Sequence, residues 1–472
     1  MERKVRAMPA SDHLSAADSG IETQSRRWRP YQIYLIIILT LVSTSNYMDR
    51  QIVPILQETI KGDLKLTDTQ LGFLTGPAFA MFYSLSGIPV ARFAERVNRT
   101  KLFAGVITLW SGMTSLCGVA PNFVFLAMCR LGVGVGEGGC IPISHSLISD
   151  YFRQNQRGLA MAIYSTSAPV AGILVPIFGA FIAHLWGWRA AFLTVGLPGL
   201  LLAIIVLRTV REPRIAADKD GTVADMEKHE SFRVDLKWLF NSKPFLFMFL
   251  AGAFTGMGNY GMTTFLVSFF VRVHDFTIVE AGTVVALNGV MGLIGTFIGG
   301  YFADRYATPS GRSYPAVCGI GIAVAFVTYS SSVFVSGWQI ALLLVLIANI
   351  GTDLKNGPAF ATIQNIVPIR MRATAAAVFM FGATLIGAGF GPMIVGSLSD
   401  IFAQWSFLPG MDFTQTCPGG QAAAGATAIV ATACEQASAL GLRHAMAVIC
   451  TMYIGATASY YFATRSLKAP AA

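Results

Sequence analysis

Long runs of apolar residues alternate with short polar connections along almost the whole chain. Each run is about twenty residues long, which is the length that an α-helix needs to cross the hydrocarbon core of a bilayer. Charged residues gather mainly in the connections between the runs. The pattern predicts twelve membrane-spanning helices, at 31–57, 70–91, 102–119, 122–150, 158–184, 190–208, 245–271, 278–302, 314–334, 338–366, 373–403 and 441–464.

Lys and Arg residues are distributed unevenly between the two sides of the predicted bundle. An even number of helices places both termini on one side. If that side is the cytoplasm, 26 of the 34 Lys and Arg residues lie in tails and cytoplasmic loops, and 5 lie outside. This bias satisfies the positive-inside rule and predicts cytoplasmic termini. Short cytoplasmic loops without a large added domain favour a multi-pass protein of a bacterial inner membrane.

Two longer polar stretches divide the chain. Residues 209–243, between the sixth and seventh helices, predict a cytoplasmic linker between two halves, with a short interfacial helix. Residues 404–440 predict an external loop, in which Cys417 and Cys434 either form a disulfide or remain free. We therefore expect six-helix bundles at 31–208 and 244–465, a disordered cytoplasmic tail at 1–30 and a cytoplasmic tail at 466–472.

Composition agrees with a membrane protein and argues against several other classes. Hydrophobic residues make up 54% of the 472 residues and charged residues 12%, which is unlike a soluble domain of this length. The net charge of +9 does not predict nucleic-acid binding, because the basic residues are scattered between apolar runs. The sequence has no Walker lysine, nucleophile elbow or His-rich metal spacing, so we expect neither an enzyme nor a bound cofactor or metal.

The two predicted halves repeat each other weakly, as the halves of many transporters do. The repeat keeps an acidic position in the fourth and tenth helices, but Met262 stands opposite Asp49. The matched segments are Ala94-Glu95-Arg96 with Ala303-Asp304-Arg305, Glu137 and Pro142 with Asp353 and Pro358 at one offset of 216 residues, and Asn46-Tyr47 with Asn259-Tyr260.

Several of these segments resemble the signatures of a known superfamily. The resemblance is to the major facilitators over residues 31–465, and within them to the Spinster-type lipid transporters over the first half. It implies an all-α polytopic fold of twelve transmembrane helices in two pseudo-symmetric six-helix bundles, acting as a monomer. The residues that carry it are Gly300-Tyr301-Phe302-Ala303-Asp304-Arg305 and its variant from Ala91 to Arg99, Tyr47-Met48-Asp49-Arg50, Arg130 with Gly134-Val135-Gly136-Glu137, Ile148-Ser149-Asp150-Tyr151-Phe152, Val195-Gly196-Leu197-Pro198-Gly199 and Val210-Arg211-Glu212-Pro213.

The resemblance also implies roles for residues at the cytoplasmic ends of the helices. A cytoplasmic gate is expected to contain Glu95, Arg96, Asp304, Arg305 and Asp150. The segments around Asp49 and Glu137 are similar to those of anion–cation symporters of organic acids as well, so these segments alone do not choose between the two families.

Ionisable side chains inside the predicted spans are the first candidates for function, because a charge at bilayer depth is costly unless it is paired or faces water. Arg130 and Glu137 are seven residues apart and share one helix face. Burial disfavours the charged form of an acid and a nearby arginine favours it, so Glu137 and Asp49 are predicted to exchange protons. Arg130 would pair with Glu137 or bind an anionic head group, and Arg50 would bind substrate or latch the halves. These residues could instead be structural clamps between helices.

The second half offers fewer charges and more apolar surface. Asp353 and Lys355 are predicted to be a packing or gating pair. Tyr260, Phe254 and Met257 could line an apolar wall for substrate or pack against lipid and other helices.

The predicted function is that of a proton-coupled secondary transporter which moves single-chain amphipathic lipids by alternating access, as the Spinster resemblance implies. Lysophospholipids and sphingosine phosphates are the expected lipid class, and protons and membrane lipids are the other expected partners. The alternatives are a proton-coupled symporter of small organic anions and a multidrug/proton antiporter.

Overall fold

The structure is a computed structural model that describes residues 28–212, 232–308, 310–368, 371–423 and 425–467. Nearly all of this part of the chain is helical. Most of the predicted tail at 1–30, residues 213–231 of the predicted linker and residues 468–472 of the second tail lie outside the described residues. The described end of the linker forms an amphipathic helix at Phe232–Asn241, where the interfacial helix was predicted.

The N-terminal half consists of six long helices, several of which are broken into segments. One break separates α5 from α6 at Gly187, whose φ of 81° suits a residue without a Cβ. The helices are α1 (Pro30–Leu64), α2 (Asp68–Thr75 and Pro77–Arg96), α3 (Arg99–Cys117), α4 (Phe123–Glu137 and Cys140–Tyr151), α5 (Gln154–Ser165, Ser167–Leu174, a π turn at Val175–Gly179 and the start of Ala180–Thr209) and α6 (the rest of Ala180–Thr209, after Gly187).

The C-terminal half has the same arrangement of six helices. They are α7 (Lys243–Thr264 and Leu266–His274), α8 (Ile278–Arg305), α9 (Ser313–Ser332), α10 (Trp338–Asp353 and Asn356–Ile366), α11 (Arg372–Gly382, a π turn at Ala383–Ala388, and Gly389–Ser406) and α12 (Ala428–Cys450 and Met452–Ser466). By length and composition, nine helical stretches of the described chain are apolar enough to cross a membrane, and one of them contains both α5 and α6.

The internal repeat of the sequence is visible in the backbone. The first segment of α4 ends at Glu137 and the second begins at Cys140. The first segment of α10 ends at Asp353 and the second begins at Asn356, so both breaks fall at the same offset of 216 residues. The break places an acidic residue at the end of a helical segment in each half.

The loop between α11 and α12 is shorter than predicted. The sequence pattern predicts a loop at 404–440, but α11 continues to Ser406 and α12 begins at Ala428. The N-terminal part of α12 was assigned to the loop because it contains polar residues and Gly, such as Gln436, Ser438 and Gly441, which interrupt an apolar run without preventing a helix.

The two halves are joined tightly at one end of the bundle. The backbone N–H groups of Asp68 and Thr69, at the start of α2, donate to the carboxylate of Asp400 of α11 at 3.0 and 2.8 Å. Arg272 of α7 binds Glu58 of α1 and Asp68, each at 2.7 Å. We call this end, which also contains Lys61 and Ser399, the closed end, and the opposite end, where α1 begins and α12 stops, the terminal end.

A disulfide between Cys417 and Cys434 fastens the α11–α12 loop at the closed end, so the two alternatives left by the sequence are decided in favour of the bond. The fastened loop crosses from the C-terminal half onto α1. Gly419 and Gly420, which have φ angles of 74° and 81°, lie against the Lys61 turn of α1. The loop therefore adds a contact between the halves.

Replacing Cys417 and Cys434 by Ser is expected to lower the free energy of unfolding by about 3 kcal/mol, because the bond closes a loop of 17 residues that the unfolded chain would otherwise leave open. The melting temperature (Tm) of detergent-solubilised protein measures the change. A reductant should lower the Tm of the wild type and leave that of the double variant unchanged. A wild-type Tm that does not respond to reductant would contradict the prediction.

Candidate functional site

The centre of the N-terminal half contains a bonded pair of opposite charges. Arg50 of α1 donates from Nε to Oε2 of Glu137 at 2.6 Å and from Nη2 to Oδ1 of Asn46 at 2.9 Å. Glu137 is fully buried, whereas about one fifth of the Arg50 side chain is exposed. Glu137 therefore has Arg50 as its bonded partner, rather than Arg130 as one of the sequence-based hypotheses supposed.

Aromatic rings enclose the charged end of Arg50. Its guanidinium carbon, Cζ, lies 4.2 Å from the ring centre of Tyr83, 5.1 Å from that of Tyr47 and 5.4 Å from that of Phe79. These distances are within the range of cation–π attraction. We call Tyr47, Phe79 and Tyr83 the Arg50 cage.

Asp49 and Arg130 lie next to this pair but make fewer bonds. Asp49 is fully buried, and neither of its carboxylate oxygens accepts a hydrogen bond from the described part of the chain. Arg130 is 1% exposed and donates from Nη1 to the backbone carbonyl of Asp49 at 3.2 Å. Its guanidinium also lies 5.1 Å from the ring centre of Phe79. Arg130 thus supports the backbone of α1 and is buried.

A cavity of about 260 Å³ lies beside the break in α10. Its polar side chains come mainly from α7 and α10, and its apolar side chains come mainly from α10 and α11. The lining residues with functional interest are Thr255, Asn259, Tyr260, Asp353, Lys355, Asn356, Phe360, Phe379 and Met380.

The two charges in this cavity do not pair with each other among the described ion pairs, although the sequence predicted a pair. Lys355 donates from Nζ to the carbonyl oxygen of Thr352 at 2.8 Å. Asp353 accepts from Nδ2 of Asn356 at 3.0 Å. Because an ammonium group has three donors and a carboxylate has about four acceptor sites, both retain capacity to bind another molecule.

The three predicted substrate-binding residues of α7 have different surroundings. Tyr260 lines the cavity, is 40% exposed and lies within electrostatic range of both Arg50 and Asp353. Tyr260 is therefore near charged residues of both halves. Phe254 contacts Gly455 of α12 and Met257 packs beside Gly391 of α11, and neither lines the cavity.

The residues predicted to form a gate lie at the terminal end. Asp150, at the end of α4, binds Arg99 of α3 at 2.7 Å, and Arg99 also binds Glu212 at 2.6 Å. Asp304 accepts from the hydroxyl of Tyr314 at 2.9 Å. Arg96 and Arg305 are exposed. The side chain of Glu95 lies outside the described part of the structure.

Sequence reasoning missed Arg99 as a site residue, even though it ends the segment that resembles the gating signature. It also missed the closed-end residues, of which the count of basic residues used Lys61 and Arg272 only to assign orientation. No local pattern marked them, because charged residues are common near helix ends. The missed closed-end residues are Glu58, Lys61, Asp68, Arg272 and Asp400.

Comparison with known proteins gives consistent matches. A profile of the Major Facilitator Superfamily matches residues 35–392. An MFS-type efflux pump of Mycolicibacterium smegmatis is 33% identical and aligns with 82% of this chain and 89% of its own. A probable L-galactonate transporter of Escherichia coli is 24% identical and aligns with 83% of this chain and 88% of its own.

A solved structure of a bacterial homologue of the human lysosomal transporter Spinster, in an inward-facing and unoccupied conformation, is also similar. It superposes with a TM-score of 0.83 at 30% sequence identity, and the match covers 94% of this chain and 100% of that one. The similarity therefore spans both halves.

Proposed function

The chain belongs to the Major Facilitator Superfamily, and we propose that it is a proton-coupled transporter of single-chain amphipathic lipids. The observation that carries the proposal is the cavity at the α10 break, where Lys355 and Asp353 adjoin Phe360, Phe379 and Met380. A charged patch beside an apolar wall suits a molecule with a charged head and one hydrocarbon chain. The resemblance to Spinster-type transporters implies the same substrate class.

Alternating access requires a state that is closed on one side. The ion pairs and hydrogen bonds of the closed end join α1 and α2 to α7 and α11. The distribution of Lys and Arg supports an external position for this end. We propose that the structure corresponds to the state that is open towards the cytoplasm, and that transport requires these bonds to break.

Glu137 and Asp49 are proposed to carry the coupled protons. Both are fully buried, and a buried carboxylate without a partner is costly at membrane depth. Glu137 has a bonded cation in Arg50, whereas Asp49 has no bonded partner in the described chain. We propose that Asp49 holds its proton in this state and that Glu137 takes one up when Arg50 moves away.

The contacts that Arg50 and Arg130 already make argue against the organic-anion alternative. That alternative requires Arg50 and Arg130 to hold a carboxylate together in a tight polar cavity. In the structure Arg50 is bonded to Glu137, and Arg130 is buried against the backbone of Asp49. Lys355 is the cavity cation that retains free donors, which supports binding of a single charged head.

Export of amphiphilic drugs is a second candidate, because the relative that is 33% identical is named an efflux pump. The same cavity would serve it, since an apolar wall with one cation and one anion accepts many amphiphiles. The two functions differ in how strongly transport depends on the head group.

The test uses purified protein in liposomes with an imposed pH gradient, with labelled lysophosphatidylcholine or sphingosine 1-phosphate as the probe. Gradient-driven movement of either lipid, competed by unlabelled lipid, would support the proposal. Movement of labelled galactonate without lipid movement would overturn it in favour of the organic anion. Equal movement of lipids and of an uncharged lipophilic dye would overturn it in favour of drug export.

Changing Lys355 to Gln is expected to raise the KM for lysophosphatidylcholine about tenfold, because one charge-assisted hydrogen bond to the head group is lost. Its matched control is Lys101→Gln, since Lys101 is exposed on α3 outside the cavity. Uptake kinetics in the liposome assay measure both variants. If the two variants have the same KM, Lys355 does not bind the head group.

A further inference from the structure

We infer that Phe79 and Tyr83 are positioning residues that hold the Arg50 guanidinium against Glu137 and thereby set the pH at which Glu137 takes up a proton. The inference rests on the proposed function, in which Glu137 is a coupling acid. The two rings belong to α2, whereas Arg50 belongs to α1 and Glu137 to α4. The bonded pair is thus oriented by a third helix.

Arg50 needs an external restraint because it is not enclosed on every side. About one fifth of its side chain is exposed, while Glu137 is fully buried. An arginine side chain has many rotamers, so a partly exposed guanidinium can leave a buried carboxylate for water. Attraction to the faces of Tyr83, Tyr47 and Phe79 opposes that movement.

The α2 rings are fixed relative to Glu137 by the packing of α2 against α4. A Cβ added at Gly134 would lie 2.7 Å from the carbonyl oxygen of Phe79 and 3.2 Å from the backbone nitrogen of Tyr83. A Cβ at Gly138 would lie 2.8 Å from the carbonyl oxygen of Tyr83. These contacts leave no room for a larger residue, so the two backbones touch on both sides of Glu137. The Phe79 and Tyr83 rings also stack on each other, with centres 5.5 Å apart.

Phe79 has a second role, since its ring lies near two guanidinium groups. The Cζ atoms of Arg50 and Arg130 are 5.4 and 5.1 Å from its ring centre. The face of an aromatic ring attracts a nearby cation. Phe79 therefore allows two arginines to lie close to one carboxylate.

Other ionisable groups face Glu137 but act over a distance. Arg50 is the one that bonds to its carboxylate in the described structure. Loosening Arg50 would therefore remove the strongest stabilisation of the charged form of Glu137, and proton uptake would occur at higher pH. The remaining groups are Tyr47 and Asp49 of α1, Tyr83 of α2, Arg130 and Cys140 of α4, and Cys117 of α3 beside Asp49 and Arg130.

The experiment is an infrared pH titration of the purified protein without substrate. The readout is the carbonyl stretch of a protonated carboxylic acid that disappears in Glu137→Gln. Tyr83→Leu and Phe79→Leu are expected to move the midpoint of this band upward by about one pH unit, since each removes one ring contact with Arg50. Tyr83→Phe keeps the ring and removes only the hydroxyl, so it should move the midpoint less than Tyr83→Leu does.

Phe82→Leu is the matched control for Phe79→Leu, because Phe82 is on the same helix, is 37% exposed and is not part of the Arg50 cage. Wild-type midpoints in both Tyr83→Leu and Phe79→Leu, in protein of wild-type Tm, would overturn the inference. So would an upward shift of equal size in Phe82→Leu, because that change leaves the cage intact.

Failure of the inference and failure of the proposed function give different results. Shifted infrared midpoints, with no lipid movement in the wild-type liposomes, would leave the inference standing and reject lipid transport. Gradient-driven lipid movement with one pH profile for wild type, Tyr83→Leu and Phe79→Leu would support lipid transport and reject the inference.

Discussion

Glu137→Gln is expected to abolish gradient-driven lipid uptake, because the amide cannot take up and release a proton. The same change is expected to destabilise the protein by about 3 kcal/mol, since Arg50 loses its only ion-pair partner in the described structure. Uptake in liposomes and the Tm in detergent measure the two effects. Persistent gradient-driven uptake in this variant would reduce the Arg50–Glu137 pair to a clamp between α1 and α4.

A double variant separates loss of coupling from loss of stability. Arg50→Gln combined with Glu137→Gln removes both charges, so it should recover most of the Tm and none of the gradient-driven uptake. Asp49→Asn is a third variant to compare. Asp49 has no bonded cation in the described structure, so its neutralisation leaves no buried cation without a partner. It should also impair coupling while changing the Tm little. A large fall in the Tm of Asp49→Asn would show that the acid has a structural role.

Asp68→Asn is expected to open the closed end. Its carboxylate accepts from Arg272, from Lys61 at 2.8 Å and from Ser399 at 2.6 Å, and it is 2% exposed. Removing its charge leaves a buried excess of positive charge, which costs about 3 kcal/mol or more. That cost corresponds to a change of about a hundredfold in the ratio of closed to open molecules.

Thiol labelling measures this opening. Ser268 is fully buried at the closed end, where its hydroxyl accepts from Gln57 of the other half. In a Ser268→Cys background, Asp68→Asn should raise the rate of modification by a membrane-impermeant maleimide about a hundredfold. The five free cysteines are buried, so their background labelling is expected to be slow.

Asp63→Asn is the matched control for Asp68→Asn. Asp63 forms an ion pair with Arg189 at the same end of the bundle, but both side chains are nearly half exposed. Such surface pairs contribute less than about 1 kcal/mol. The labelling rate should therefore change little. Equal rates in Asp63→Asn and Asp68→Asn would contradict the assignment of Asp68 to the closing contacts.

Glu137→Gln and Asp68→Asn both remove a buried charge, but only the importance of Glu137 could be predicted from the sequence. Glu137 and Asp49 stand out because each interrupts an apolar run, and the cost of burying a charge depends on its local surroundings. Asp68 and Arg272 lie at helix ends, where charged residues are common. Their importance depends on a contact across 204 residues of sequence, which no local pattern reveals.

The twelve apolar helices, the division into halves and the acidic positions inside apolar runs could all be predicted from the sequence alone. These features follow from the free energy of transferring each segment into the bilayer. That free energy depends mainly on the residues of the segment itself. The repeat at an offset of 216 residues also predicted that Glu137 and Asp353 occupy matching places, and both end a helical segment.

Which charges contact each other could be learned only from the packing of the helices. Seven residues along α4 place Arg130 and Glu137 on one face, yet Glu137 bonds to Arg50 of α1, 87 residues away. Asp353 and Lys355 are near neighbours in sequence and still bind other groups. The physical reason is that side-chain partners depend on how the helices cross and how closely their backbones approach, as at Gly134 and Gly138. The crossing angle and the backbone distance are properties of two helices together, so the sequence of one helix does not determine them.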